Sequence, residues 1–159
     1  MIWTIAVILV ILCIVFVVYI VDKRSSHELV FPFQEPERSE NPFITINIQG
    51  IPLNMIIDSG AACSVILIEA ANKLNYDASA RKIELTALTT ESIQTSVINV
   101  PFTIGGKLIK EDFMVYEEFS IGNFSRMGIP IHGILSHAFL TKVNGKIDYQ
   151  RQALIIPRP

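Results

Sequence analysis

The chain opens on an uncharged apolar run and then breaks into short alternating segments. From Ile2 to Val21 no side chain is charged, and a helix rising about 1.5 Å per residue over that length spans the roughly 30 Å hydrocarbon core of a bilayer. Every face of such a helix is apolar and many of its residues are β-branched, which fits a buried core helix poorly. The run starts at Met1 and ends in Val21-Asp22-Lys23-Arg24, without the basic start, shorter apolar core and small residues of a cleaved signal peptide. It predicts a retained single-pass membrane anchor over 1–21. Lys23 and Arg24 argue for a cytoplasmic remainder by the positive-inside rule, but the α-amino group and Asp22 offset them, so the side stays open.

Residues 22–41 shift to Ser, Glu, Arg and Pro and read as an extended linker. Phe31-Pro32-Phe33 is its apolar island, either an isolated sticky patch or a piece packed on the domain. From residue 42 to 159 the period becomes that of strands. Phe43, Ile44, Ile46 and Ile48 lead through a turn at Gln49-Gly50-Ile51-Pro52 into Leu53 to Ile57, a hairpin that delivers Asp58 to its tip. Leu67 to Tyr76 carries helix-forming residues at helical spacing. Lys82 to Leu88, Ser92 to Ile104 and Leu108 to Tyr116 are strand-like, and Gly105-Gly106 predicts a tight turn joining the last two. Residues 117–127 read as a loop. Ile129 to Leu135 predicts a buried strand whose Gly133 is closely approached by other backbone. Ser136 is a candidate N-cap for a short helix to Thr141, Asn144-Gly145 a turn, and Ala153 to Ile156 a closing strand. The expected fold is mostly β, many short strands with little helix behind the anchor, which suggests a closed or sandwich-like sheet.

Charge and cysteine content remove whole classes of function. A net charge of -2 gives no basic surface for nucleic acid. Of two cysteines, Cys13 lies in the anchor and Cys63 in the domain, which leaves no disulfide framework and no paired-cysteine zinc site. His132 and His137 are spaced neither as a helical i, i+4 pair nor as a zinc knuckle, so no metal and no cofactor is expected. Cys63 with either histidine is a poorer reading as nucleophile and base than as a small packed residue. Glu117-Glu118 reads as a solvated loop.

One acidic residue then stands out. In Met55-Ile56-Ile57-Asp58-Ser59-Gly60-Ala61-Ala62-Cys63-Ser64-Val65-Ile66 a lone carboxylate lies between two apolar runs, where burial would cost several kcal/mol if uncompensated. Amide hydrolysis needs both a base and an acid, and two carboxylates sharing one proton supply both, because like charges a few ångströms apart cannot both ionise. This chain carries one such motif, so the second carboxylate would come from a second copy, in a two-fold dimer with Asp58 near the axis.

Ile56-Ile57-Asp58-Ser59-Gly60-Ala61 followed by Val65-Ile66 resembles the active-site loop of the retropepsin-like (clan AA) aspartic proteases. Ile131-His132-Gly133-Ile134-Leu135, Phe139-Leu140, Ile147-Asp148-Tyr149 and Leu154-Ile155-Ile156 resemble that family's downstream apolar-Gly element, short helix and closing strand. The resemblance implies a closed or partly open barrel of short antiparallel strands with one or two short helices, in a single-domain, membrane-anchored member of the bacterial type that cleaves a protein or peptide substrate as a homodimer. It makes Asp58 the catalytic aspartate. By the same resemblance Ser59 would bond across the axis, the Gly60 amide would hold the carboxylate, and Ala61 would line the cleft. Gly133 is the residue on which the loop packs, between Ile131 and Leu135, and Asp148 is structural. The family's flap falls on Ala87 to Thr95, where Thr89 and Thr90 would cover substrate although the segment has no glycine. Ala153 to Ile156 would carry much of the dimer contact. His132 and Ser136 replace an acidic residue and a glycine common in the family. These departures keep a second expectation open, a catalytically inactive binding or dimerisation module.

Overall fold

The computed structural model describes residues 10–17, 19, 28–35, 41–76, 82–86, 92–116 and 128–158. Ten strands lie among the described residues: β1 (Glu28–Pro32), β2 (Phe43–Ile48), β3 (Ile51–Asp58), β4 (Ser64–Leu67), β5 (Lys82–Thr86), β6 (Ser92–Ile104), β7 (Lys107–Tyr116), β8 (Gly133–Ser136), β9 (Lys146–Asp148) and β10 (Ala153–Pro157). Two short helices, α1 (Ile68–Ala71) and α2 (His137–Val143), follow β4 and β8. Residues 10–17 are also helical, with their side chains exposed. Among the described residues no helix is long and apolar enough to cross a membrane.

Seven strands form one curled, half-barrel sheet in the order β2-β3-β8-β4-β7-β6-β5, and β1-β10-β9 form a second. The hairpins follow from turn chemistry. Ile48 pairs with Ile51 across Gln49 and Gly50, whose φ values are 54 and 85°, and Ile104 pairs with Lys107 across Gly105 and Gly106, at 61 and 83°. Positive φ at both central residues gives the turn the twist of the strands it joins. Along β2 the pattern FITINI alternates buried and exposed from Ile44 onward, so Ile44, Ile46 and Ile48 enter the core with Leu53 and Met55 of β3.

The strands are not all antiparallel as expected. β3 runs parallel to β8, and β4 parallel to β7. Strand β8 arrives from far along the chain and slots between β3 and β4, pairing parallel with the first and antiparallel with the second. A strand inserted between two others is free of the reversal that a hairpin imposes. The β8 ladder itself begins only at Gly133, later than the apolar run that starts at Ile129.

Part of the expected linker belongs to the domain. Glu28 to Pro32 pairs antiparallel with Pro157 to Ala153, Phe33 is buried, and its amide donates to the Gln152 carbonyl at 2.7 Å. The apolar island therefore packs on the domain rather than standing alone. With β9 on its other side, β10 has both edges paired within one chain, so it has no free edge for a dimer contact. The helix expected over Leu67 to Tyr76 is one turn, Ile68–Ala71, with Asn72 as its C-cap and at its start Leu67, whose side chain cannot cap the first amides. Ser136 does cap α2, accepting from the Phe139 amide at 3.3 Å, and Asn144 ends it in the left-handed conformation.

Candidate active site

The Asp58 loop hangs between two strands that flank the same intruder. Strand β3 ends at Asp58, whose register partner on β8 is Ser136, and β4 begins at Ser64 and pairs with β8 from the other side. Ile56 and Ile57 are buried; Asp58, Ser59 and Gly60 are exposed. The carboxylate expected between apolar runs is thus not buried in the single chain, because Asp58 is the residue at which β3 leaves the sheet. The Gly60 amide donates to Asp58 Oδ1 at 2.8 Å, and the Ala61 amide to the Asp58 carbonyl at 3.2 Å. This is an Asx-type turn, in which the side chain accepts from the backbone two residues on. Half-buried Ala61 is pinned from behind by the His137 amide, which donates to its carbonyl at 3.1 Å.

Two open hollows meet at Ser59. One, of about 320 Å³, is lined by Asp58, Ser59, Ile56, Ile134, Ile147 and Tyr149 among others; the second, of about 400 Å³, lies between Ser59 and α2. Tyr149 is 70% exposed at the rim, its ring edge-on to Phe33. The loop is therefore an open, convex tip with concave ground on both sides.

Gly133 is closely approached as expected, but by different atoms. A Cβ there would lie 2.2 Å from the Val65 carbonyl oxygen, 2.8 Å from Met55 Cε and 3.1 Å from Ile66 Cα. The contact is with the bodies of β3 and β4, while Ser136 is the residue beside Asp58. Leu135 is core, and Ile131 is half-buried in a satellite cluster with Phe43 and Ile56. Thr89 and Thr90 lie outside the described residues.

His132 occupies a structural post. Its amide donates to the Asn54 carbonyl at 2.8 Å, and its Nδ1 accepts from the Asn54 amide at 2.9 Å, a bond that requires Nδ1 to be unprotonated. Burial first, and the Lys73 ammonium second, hold its pKa below the ordinary histidine value against the weaker pulls of the Asn54 backbone and Glu69. A folded pKa below the unfolded one means that the unfolded chain binds more protons, so the contribution is full above about 6.5 and is lost as pH falls through the folded value. Thermal melts at stepped pH should show the melting temperature dropping on acidification below about pH 6.5, and His132→Gln should flatten that slope. An unchanged slope in the variant would assign the loss to other groups.

Cys63 rests on the Met114 thioether, and burial pushes its thiol up, the opposite of an activated nucleophile. Asp148 Oδ1 accepts from the Gln150 and Arg151 amides, and the Arg151 bond first of all holds its carboxyl below the usual range. It builds a turn. Among the described residues no cluster of His, Cys, Asp or Glu could hold a metal ion.

The sequence reading missed one group. Glu111 is only 3% exposed, bonded to Ser64 and paired with Lys142. Strand parity carries the signal: Ile109, Glu111 and Phe113 share the buried face of β7.

The sequence profile described as aspartyl protease matches residues 44–139. Among solved structures, a retropepsin-like aspartic protease from Rickettsia conorii superposes with a TM-score of 0.55 at 18% identity, covering 82% of this chain and 90% of that one. The retroviral protease-like domain of Ddi1 from Leishmania major gives 0.52 at 17% identity, over 74% and 89%. At such identities the likeness establishes a common, retropepsin-like fold. No curated protein matches the chain.

Proposed function

Because this chain belongs to the aspartyl protease family, we propose that it is an aspartic endopeptidase whose catalytic pair is Asp58 and its twin from a second copy. The observation that carries the reading is the Asp58 tip itself: an exposed carboxylate, oriented by the Gly60 amide, beside a partly apolar hollow. Water attack on a peptide carbonyl needs a base to take its proton and an acid to protonate the leaving nitrogen. Two carboxylates sharing one proton do both, and each chain brings one.

The face that meets the second copy is the tip with Ser59, bordered by the two hollows, since both edges of β10 are filled from within. Ser59 would bond across the axis, and Thr89 and Thr90 would close over substrate. Pairing would bury the two carboxylates, which the single chain leaves in water. Residues 1–21 would anchor the molecule as one span, and the segment from 22 to the start of β1 would tether the domain at the membrane surface.

The test is cleavage of a mixed peptide library by the purified full chain between acidic and neutral pH, with and without a hydroxyl-bearing transition-state mimic, alongside sedimentation. Cleavage blocked by the mimic, in a dimeric protein, is expected. A dimer with no cleavage at any pH would leave a binding module instead.

A further inference from the structure

A buried polar chain lies directly behind the Asp58 loop, outside the groups that would touch substrate. Ser64, at the start of β4, is 1% exposed; Ser136, at the end of β8, is fully buried; Glu111, on β7, is 3% exposed. Ser64 Oγ lies 2.8 Å from Glu111 Oε1 and 3.1 Å from Ser136 Oγ, and the Ser136 amide donates to Ser64 Oγ at 3.2 Å. Lys142 Nζ, on α2, bonds Glu111 Oε2 and donates to the Lys110 carbonyl at 2.6 Å.

The proton directions are fixed by valence. A carboxylate only accepts, so the single Ser64 proton goes to Glu111. Ser64 Oγ must then accept from Ser136, and the Ser136 oxygen accepts from the Phe139 amide. The bonds all run one way, from the first turn of α2 through two hydroxyls to the carboxylate, and bonds in such a series polarise one another. Both ends of the Asp58 loop are on this chain: Ser64 is where the loop returns to the sheet, and Ser136 is the register partner of Asp58.

We infer that Glu111 is a positioning residue, which acts through Ser64 and Ser136 to fix the two ends of the Asp58 loop and hence the aim of the carboxylate. The inference rests on the protease reading for its kinetic consequence alone. Apolar side chains of similar volume would hold β7 to β4 about as well, since a hydrogen bond such as that between Ser64 and Glu111 adds only about 1 kcal/mol net. What an apolar pair cannot supply is direction. A hydroxyl aimed at one carboxylate oxygen fixes the loop's angle, and reacting groups displaced by an ångström lose rate steeply.

The experiment uses the full chain carrying Glu111→Gln, whose single amide oxygen goes to the Lys142 ammonium and turns its NH2 toward Ser64, or Ser64→Ala, or both. Each single change is expected to lower kcat by about 10-fold to 100-fold with KM little altered. If Glu111 works through Ser64, the double variant loses no more than the worse single one. Losses that multiply, or KM rising in place of the fall in kcat, would overturn the inference. Hydrogen exchange supplies a readout free of catalysis. Amides of Ser59 to Ser64 should exchange about 10-fold faster in either variant, with those of the β2–β3 hairpin unchanged. Equal acceleration everywhere would mean general destabilisation and no positioning role. Should Glu111→Gln fail to fold, Ser64→Ala removes one hydroxyl and carries the same readouts. A wild type without peptidase activity would defeat the protease reading while the exchange result still decides the positioning one.

Discussion

Replacing Asp58 by asparagine should lower kcat/KM by about 10³-fold or more, the range expected for removing a group that serves as acid and base, while leaving the fold intact. The second half of that expectation comes from the structure. Asp58 is exposed, and the one bond its side chain makes in the loop is acceptance at Oδ1 from the Gly60 amide. An asparagine amide oxygen accepts the same bond. No buried partner is orphaned, so the melting temperature should shift by no more than a few degrees, as for an ordinary surface substitution. Kinetics on a cleaved peptide and a thermal melt of the same preparation check both halves. Activity that survives the change would remove Asp58 from the chemistry.

The second large effect falls on stability. Gly133→Ala should destabilise the fold by about 3 kcal/mol or more, lowering the melting temperature by on the order of 10 °C. Glycine is needed there for space, and the obstacle is hard: the new Cβ would meet the Val65 carbonyl oxygen at 2.2 Å and Ile66 Cα at 3.1 Å, both backbone atoms of β4. Relief requires β8 to part from β4, and β8 also holds β3 in register with Asp58. Gly145→Ala is the control, because its Cβ would find only the side-chain methyls of Val143, Leu154 and Leu140 at 3.2 to 3.4 Å, which can shift. It should cost under about 1 kcal/mol. Equal melting temperatures for the two variants would show that the close approach at Gly133 is not the constraint described.

Local signals account for what was legible in the sequence. Gly105-Gly106 and Gln49-Gly50 place the β6–β7 and β2–β3 hairpins because two consecutive residues with positive φ are written into a turn by its own composition. Ser136 reads as a cap because the capping hydroxyl and the amide it serves are three residues apart. The pairing of Met55 to Asp58 with Gly133 to Ser136 had no such signature, since its partners lie far apart in the chain and nothing within either strand specifies parallel or antiparallel. The same limit hid β1. Its Pro32 and charged neighbours look like a linker, and only the unpaired edge of β10, a tertiary fact, turns them into a strand. Glu111 was within reach of strand parity, though its partners on β4 and α2 were not. At the site, the order Asp-Ser-Gly-Ala gave the loop, while the exposure of its carboxylate depended on where β3 leaves the sheet.

Ser136 shows how a departure from a familiar pattern can have a local reason. A glycine there would keep the amide bond to Ser64 but has no hydroxyl to cap α2 or to meet the Ser64 Oγ, whereas the serine does both. Its presence is explained by the polar chain behind the loop and needs no loss of catalysis.

The account stands on two aspartates meeting from two chains. Mixing wild-type and Asp58→Asn chains at constant total concentration, with time for subunits to exchange, tests it most directly. If each active unit needs a carboxylate from both partners, activity follows the square of the wild-type fraction, so that an equal mixture retains about a quarter. Activity falling in simple proportion to the wild-type fraction would mean that each chain works alone.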